Sequence, residues 1–269
     1  SQSLSELGVP HGLIAAKRTP DRNHLVQVAS VQTLINRLAD FEPPDLIITD
    51  EAHHAVAGSW KKIREAYPDA LNLGVTATPE RLDGKGLGDV FDDMIRGPQA
   101  GELIDLGWLA QPLYYLIPND GDFSNVKVNG GDYNKTQLAA AMGNSSIYGC
   151  AVAQYKKVCP YVPAVAFCVN RKHADQVTEN FKEAGFRWAT LDGTLDPTTR
   201  RRMVAELSDG RLHGLSTVEV VNEGFDLPVV TAAILLRKTE SLALHLQQIG
   251  RVLRPVYKEG MPKNTVDQR

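Results

Sequence analysis

The sequence has no long hydrophobic run. None of its apolar stretches approaches the roughly 18 consecutive residues that a membrane helix requires, so no helical span is expected. Its first residues, SQSLSELGVP, lack the basic start and apolar core of a secretory signal. Cysteine is scarce: Cys150, Cys159 and Cys168 have neither an even count nor zinc-ligand spacing. That argues against a disulfide framework or a zinc site and reads as reduced thiols of a cytoplasmic protein. Excess positive charge is missing too. Lys+Arg 29 against Asp+Glu 32 gives a net charge of -3, so a nucleic-acid partner has to be held by local features and not by a basic bulk. Internal repeats and low-complexity tracts are absent as well.

What is present is an alternation of short apolar runs with amphipathic stretches, spread over 269 residues that are 43% hydrophobic and 23% charged. The length suits one large or two ordinary domains. The alternation points to α/β layers over parallel sheet. LVQVAS, DLIITD and LNLGVTA read as strands, VQTLINRL and GSWKKIREAY as helices, and QPLYYLIP as a strand closing a first domain at residue 117. Residues 118–162 change character. PNDGDFSNVKVNGGDYNK is rich in turn-forming Asn, Asp and Gly, and helices are expected around TQLAAAM and SIYGCAVAQYKKV, so this segment reads as a connection. The second domain, 163–269, resumes with the buried strand AVAFCV. Asn170 caps the next helix and Gly185 stands just past its end. A further helix opens on Asp196 as cap with Pro197 at its first position. LHGLSTVEV and TAAILLR are strands, and SLALHLQQI is a helix leading into GRVLRP.

The strand DLIITD runs into two adjacent acids, Asp50 and Glu51. Ligands of open parallel sheets bind beyond the carboxyl ends of the strands. A carboxylate there can hold Mg²⁺, which prefers oxygen ligands, and its neighbour can orient and deprotonate a water. The plain alternative for the bare dipeptide is a helix cap followed by a solvated acid.

The wider pattern adds to this. Asp50-Glu51-Ala52-His53 is followed one strand later by Thr76-Ala77-Thr78-Pro79, then by Glu223-Gly224-Phe225-Asp226, and finally by Gln247-x-x-Gly250-Arg251-x-x-Arg254. With these motifs in this order the chain resembles the superfamily 2 helicases, the DEAH-type ATP-driven nucleic-acid translocases. The wording around them is most similar to RadD-like bacterial or phage enzymes, with related modules in type III restriction subunits. The resemblance implies two RecA-like domains, the first incomplete at its N-terminus, with ATP and Mg²⁺ bound between them. It implies Asp50 as the metal carboxylate and Glu51 as the residue activating water. His53, Thr76, Thr78 and Gln247 would couple hydrolysis to domain movement. Gly224 and Asp226 would belong to a nucleotide-sensing loop, and Arg251 and Arg254 would reach the transferring phosphoryl group as arginine fingers.

Nucleic acid, single-stranded or duplex DNA with RNA left open, would be gripped through its phosphates. The resemblance points to Ser30, Gln32 and Thr33 in the first domain and to Asn170, Arg171, Thr194 and Thr217 in the second. Such contacts position a strand without reading its sequence. The densest basic cluster, Arg200 to Arg202, reads as a solvated helix face. One family element is missing from these residues: the phosphate-cradling Gly-x-x-x-x-Gly-Lys-Ser/Thr. DGKGLGD at residues 83–89 lacks the hydroxyl and sits after the Thr-Ala-Thr motif. The expectation is therefore a fragment with weak or no nucleotide binding and no ATPase of its own. The competing reading is a non-catalytic nucleic-acid-binding module. Oligomeric state is not assigned.

Overall fold

The structure, a computed structural model, describes residues 2–56, 58–77, 87–116, 123–129, 132–141, 145–218, 229–239, 242–250 and 252–253. The chain divides into two compact units, Ser1–Ile95 and Arg96–Arg269. Among the described residues no helix is long and apolar enough to cross a membrane.

The first unit contains α1 (Gln2–Glu6), β1 (His11–Ile14), β2 (Val26–Ala29), α2 (Val31–Leu34), β3 (Leu46–Asp50), α3 (Gly58–Ala66) and β4 (Leu71–Val75). β1 pairs in parallel with β2, and β3 in parallel with β4. Its small core is built by α3: Ile63 and Tyr67, four residues apart on one helical face, pack with Ala70 against Leu34, Leu38 and Ile47. The Tyr67 hydroxyl donates to the Leu38 carbonyl at 2.8 Å. The apolar side chains of the paired strands are only partly covered. Ile48 is 61% exposed and Leu71 72%, although both belong to runs whose composition suits burial.

The second unit opens with α4 (Ala100–Asp105), β5 (Val128–Asn129), β6 (Asp132–Tyr133), α5 (Lys135–Ala141) and α6 (Ser145–Val158). β5 and β6 form an antiparallel pair. Then come β7 (Ala164–Phe167), α7 (Arg171–Glu183), β8 (Trp188–Leu191), α8 (Pro197–Ser208), β9 (Gly214–Thr217), β10 (Ala232–Leu235) and α9 (Leu242–Gly250). Among the described residues, these last four strands form a parallel sheet of order β10-β7-β9-β8. Alternate residues of a strand face opposite sides, and β7 shows the consequence. Ala164 and Ala166 join a cluster with Tyr155 of α6 and Val177 and Phe181 of α7. Val165 and Phe167 join another with Met203 and Leu207 of α8. The sheet is thus covered on both faces, the RecA-like arrangement, and β7 reads as a continuous apolar run for that reason. The Phe181 ring stacks on Trp188 at 3.8 Å.

Helix ends follow local chemistry. Asn170 caps α7, its side chain accepting from the His173 amide, and Gly185 takes the left-handed conformation after its end (φ +90°). Asp196 caps α8 through the Thr198 and Thr199 amides, with Pro197 at the first helical position. Elsewhere the outcome departs from the sequence-based expectation. Residues 111–116 carry no strand, and the division between units falls after Ile95, not at residue 117. VQTLINRL is helical only over Val31–Leu34. β1, β5, β6 and β8 form where no strand was expected. The short β5 and β6 stand inside a stretch whose Asn, Asp and Gly composition signals turns.

Candidate functional site

In the first unit the predicted residues gather at the carboxyl ends of one strand pair. The β3–β4 register sets Asp50 opposite Val75, so Glu51 and Thr76 are the next residues beyond each strand. The chain turns sharply at Glu51, which adopts a left-handed backbone conformation (φ 51°, ψ 51°). Such a conformation costs an L-residue about 1–2 kcal/mol, and strain of this kind collects at functional positions. The Asp50 carboxylate supports the turn, with Oδ1 accepting the Glu51 amide at 2.9 Å. A short 3-10 turn, Ala52–His54, then swings His53 back towards the acid. His53 Nδ1 lies 3.0 Å from Thr76 Oγ1, in a hydrogen bond, and 3.3 Å from Glu51 Oε2. One ring nitrogen thus hydrogen-bonds the following strand end and stands close to the predicted water-activating acid, whose Oε2 has no hydrogen-bond partner among the described residues. His54 is exposed, and its ring centroid lies 4.1 Å from that of His53.

The donor set at Asp50 fits a magnesium ion of the phosphate-bridging kind. It offers one exposed carboxylate, a hard oxygen ligand, at a strand end. Among the described residues there is no group of three or more His, Cys, Asp or Glu that could hold a metal by itself. Asp50 fits an ion whose remaining ligands are water and phosphate oxygens.

Of the first unit's predicted nucleic-acid residues, Ser30 stands directly after β2 as the cap residue of α2, with its hydroxyl 3.2 Å from Gln32 Oε1. Thr33 lies on the same turn, its amide donating to the Ser30 carbonyl. Ser30 and Gln32 are exposed and Thr33 is half-buried.

In the second unit, Asn170, Arg171 and Thr194 follow β7 and β8 at the carboxyl edge of the parallel sheet, and Thr217 is the last residue of β9. Arg171 and Thr194 are joined by a residue that sequence reasoning missed, Asp192. Arg171 Nε lies 3.1 Å from Asp192 Oδ2, and Arg171 Nη1 donates to Thr194 Oγ1 at 2.9 Å. The Thr194 hydroxyl and amide donate to Asp192 Oδ1 at 2.6 and 2.8 Å. Burial on its own would raise the Asp192 carboxyl. The two Thr194 bonds, the Arg171 guanidinium and the Leu195 amide outweigh it and hold the group below the ordinary carboxylate value. Asp in a post-strand Asp-Gly-Thr turn is the signal that could have found it, because Asp side chains bond backbone two residues on. Thr217 is 1% exposed, and its Oγ1 has no hydrogen-bond partner among the described residues. Thr78, Gly224, Asp226, Arg251 and Arg254, and the side chain of Gln247, lie outside the described residues. The helix that carries Gln247 and Gly250 is α9.

Comparison with known proteins agrees with this architecture. Residues 9–81 match the family model for the type III restriction enzyme res subunit, and residues 156–256 match the helicase conserved C-terminal domain. A 51.5 kDa protein of Lactococcus phage (isolate 7-9) is 36% identical over 85% of this chain and 50% of its own length. IRC3 of Saccharomyces cerevisiae, named as a candidate ATP-dependent helicase, is 30% identical over 85% of this chain and 35% of its own. The chain thus spans half or less of the length of these curated relatives. Among solved structures, a fragment of a candidate HsdR subunit of a type I restriction enzyme from Vibrio vulnificus YJ016 superposes with a TM-score of 0.69. That match has 19% identity and covers 94% of this chain and 48% of the other. Residues 9–81 and 156–256 are thus similar, in sequence order, to the two domains of superfamily 2 helicases, the first of the type III restriction kind.

Proposed function

We propose that this chain is the motor portion of an ATP-dependent DNA translocase or helicase, working in the cytoplasm. The observation that carries the reading is the Glu51–His53–Thr76 linkage beside Asp50. It joins a carboxylate suited to activating water to the end of the neighbouring strand. In this reading Asp50 holds Mg²⁺ together with the phosphates. Mg²⁺ neutralises charge on the β- and γ-phosphate oxygens when bound. Glu51 accepts the proton of the attacking water as the new O–P bond forms and ADP departs. Thr76, and Thr78 beyond it, pass the change at Glu51 into β4. Arg251 and Arg254, which follow α9 in sequence, supply positive charge to the transferring group, and Gln247, Gly224 and Asp226 sense the nucleotide from the second unit. Ser30, Gln32, Thr33, Asn170, Arg171 and Thr194 hold the phosphates of a DNA strand, with Asp192 fixing Arg171 and Thr194; Thr217, 1% exposed, is left out of that set. DNA is favoured over RNA by the restriction-enzyme type of the first domain.

The sequence holds no phosphate-cradling loop with its lysine. ATP turnover is accordingly proposed for the product of the complete reading frame that contains residues 1–269, and none for residues 1–269 alone. The test is ATP hydrolysis with and without single-stranded DNA, in both proteins and with Glu51→Gln. The expected result is DNA-stimulated turnover by the longer product that falls at least about a hundredfold in the variant while nucleotide binding persists. DNA binding by the longer product without any turnover would replace this reading with that of a non-catalytic binding module. Turnover by residues 1–269 that disappears with Glu51→Gln would show that a phosphate loop is dispensable.

A further inference from the structure

We propose that Asp132 is a positioning residue for α9, the helix that leads into the predicted arginine fingers. The proposal rests on the functional reading above. Asp132 belongs to β6, in the segment that precedes the parallel sheet, and it is 105 residues from its partner Arg237. Its Oδ2 accepts Arg237 Nη2 at 2.7 Å, and its Oδ1 accepts the Thr239 hydroxyl at 2.9 Å. The Tyr133 amide also donates to Oδ1 at 2.9 Å and fixes the carboxylate's orientation. Between those two partners, Lys238 places its ammonium 5.0 Å from the Phe123 ring centroid and 5.1 Å from that of Tyr133. Three consecutive residues of the β10-to-α9 connection are thus held by one small element.

The grip has the properties that positioning needs. The Arg237 side chain is only 7% exposed and that of Asp132 18%, so water competes weakly for the pair. A charge-assisted bond of this kind is short and directional. Thr239 stands three residues before Leu242, the first residue of α9, so the contact holds the chain close in sequence to that helix. The other end of α9 is tied as well. The Val252 amide donates to the Ile249 carbonyl, and the Ala110 amide donates to the Leu253 carbonyl at 2.7 Å. Arg251 lies between these anchored stretches in sequence. A guanidinium acting on a transferring phosphoryl group must be placed closely, and a displacement of about 1 Å can cost on the order of a hundredfold in rate.

The test compares wild type with Asp132→Asn and Asp132→Glu. Asn keeps the size and one acceptor oxygen but removes the charge. Glu keeps the charge at a different reach. Amide hydrogen exchange is followed on residues 1–269, in α9 and, as a control, in α7. ATP turnover is followed in the complete reading-frame product. Asp132→Asn is expected to speed exchange in α9 about tenfold or more and leave α7 unchanged. It should lower kcat about 10- to 100-fold and leave KM for ATP within about threefold. Asp132→Glu should restore part of both. Unchanged exchange in α9, equal acceleration in α7, or a kcat that survives the loosening of α9 would each overturn the proposal. A wild-type product with no turnover at all counts against the functional reading. In that case α9 exchange alone decides whether Asp132 holds the helix.

Discussion

Acid should destabilise the second unit through one histidine. His173 is the third residue of α7 and is buried. Asn170 accepts its amide, and its own Nδ1 accepts the Val169 amide at 3.2 Å. The exchange mirrors a capping box, in which the third helical side chain reaches back over the helix start. The Val169 bond and the burial both require a neutral ring, since protonation fills the accepting lone pair and places a charge in a dry site. Burial accordingly pushes the His173 pKa down to about 4.

The sign follows from proton binding. Below the unfolded histidine value of about 6.5 the unfolded chain takes up a proton that the folded chain refuses until pH nears 4. Stability is therefore complete above about pH 6.5 and falls as the solution is acidified towards pH 4. Between about pH 7.5 and about pH 4.5 the loss amounts to about 2.5 kcal/mol, at about 1.4 kcal/mol per pH unit. His173→Gln isolates it, because Gln at this helical position can still accept the Val169 amide but does not titrate. Urea unfolding read from Trp188, with Trp60 and Trp108 replaced by Phe, reports on this unit. His213, also held below its ordinary value by burial and the nearby Arg187 charge, pushes in the same direction and is common to both proteins. Asp192 and Asp196 hold depressed carboxyls, so their contribution is lost only on further acidification. The wild-type advantage over His173→Gln should therefore shrink by about 2.5 kcal/mol across this window. A difference constant to within about 0.5 kcal/mol would refute the assignment.

Other outcomes are as specific. Gly214→Ala places a methyl 2.2 Å from the Trp188 ring, so β9 and Trp188 must separate. The expected cost is about 1–3 kcal/mol in urea unfolding, and an unaffected midpoint would show that the core is looser than described. Arg251→Ala in the complete reading-frame product should abolish turnover yet keep nucleotide affinity within about tenfold, because a finger acts mainly in the transition state. An equal loss of binding, measured by titration with a fluorescent ATP analogue, would remove Arg251 from that role.

Much of the second unit was legible because its signals are local. Asn170 and Asp196 act on amides two or three residues away, Pro197 suits only a helix start, and the uninterrupted AVAFCV run needs a strand covered on both faces. β1 and β8 escaped notice for the opposite reason. HGLI and WATL are short and lack a turn signal specific enough to separate them from their flanks. The Asp132–Arg237 and Asp192–Arg171 pairs were invisible on principle, since each joins residues that only the fold brings together. Glu51 shows a different limit. The motif named it, but neither its left-handed backbone nor the bond from its own amide to Asp50 has a sequence signature.

The same contrast explains how the first site is assembled. Asp50, Glu51 and His53 are neighbours in sequence, while Thr76 comes 23 residues after His53. What brings it there is the register of β3 on β4, with Leu46 against Leu71 and Asp50 against Val75. A slip of one residue would reverse which face each side chain of β4 occupies and carry Thr76 away from His53. The Leu, Ile and Val residues of these strands thus do more than fill a core: by fixing that register they decide whether the histidine meets its hydroxyl. Because several of them remain exposed among the described residues, burial alone specifies the register weakly, and the polar contacts at its end must share in holding it. The Thr76–His53–Glu51 contacts are then both the proposed machinery and part of what keeps the machinery aligned.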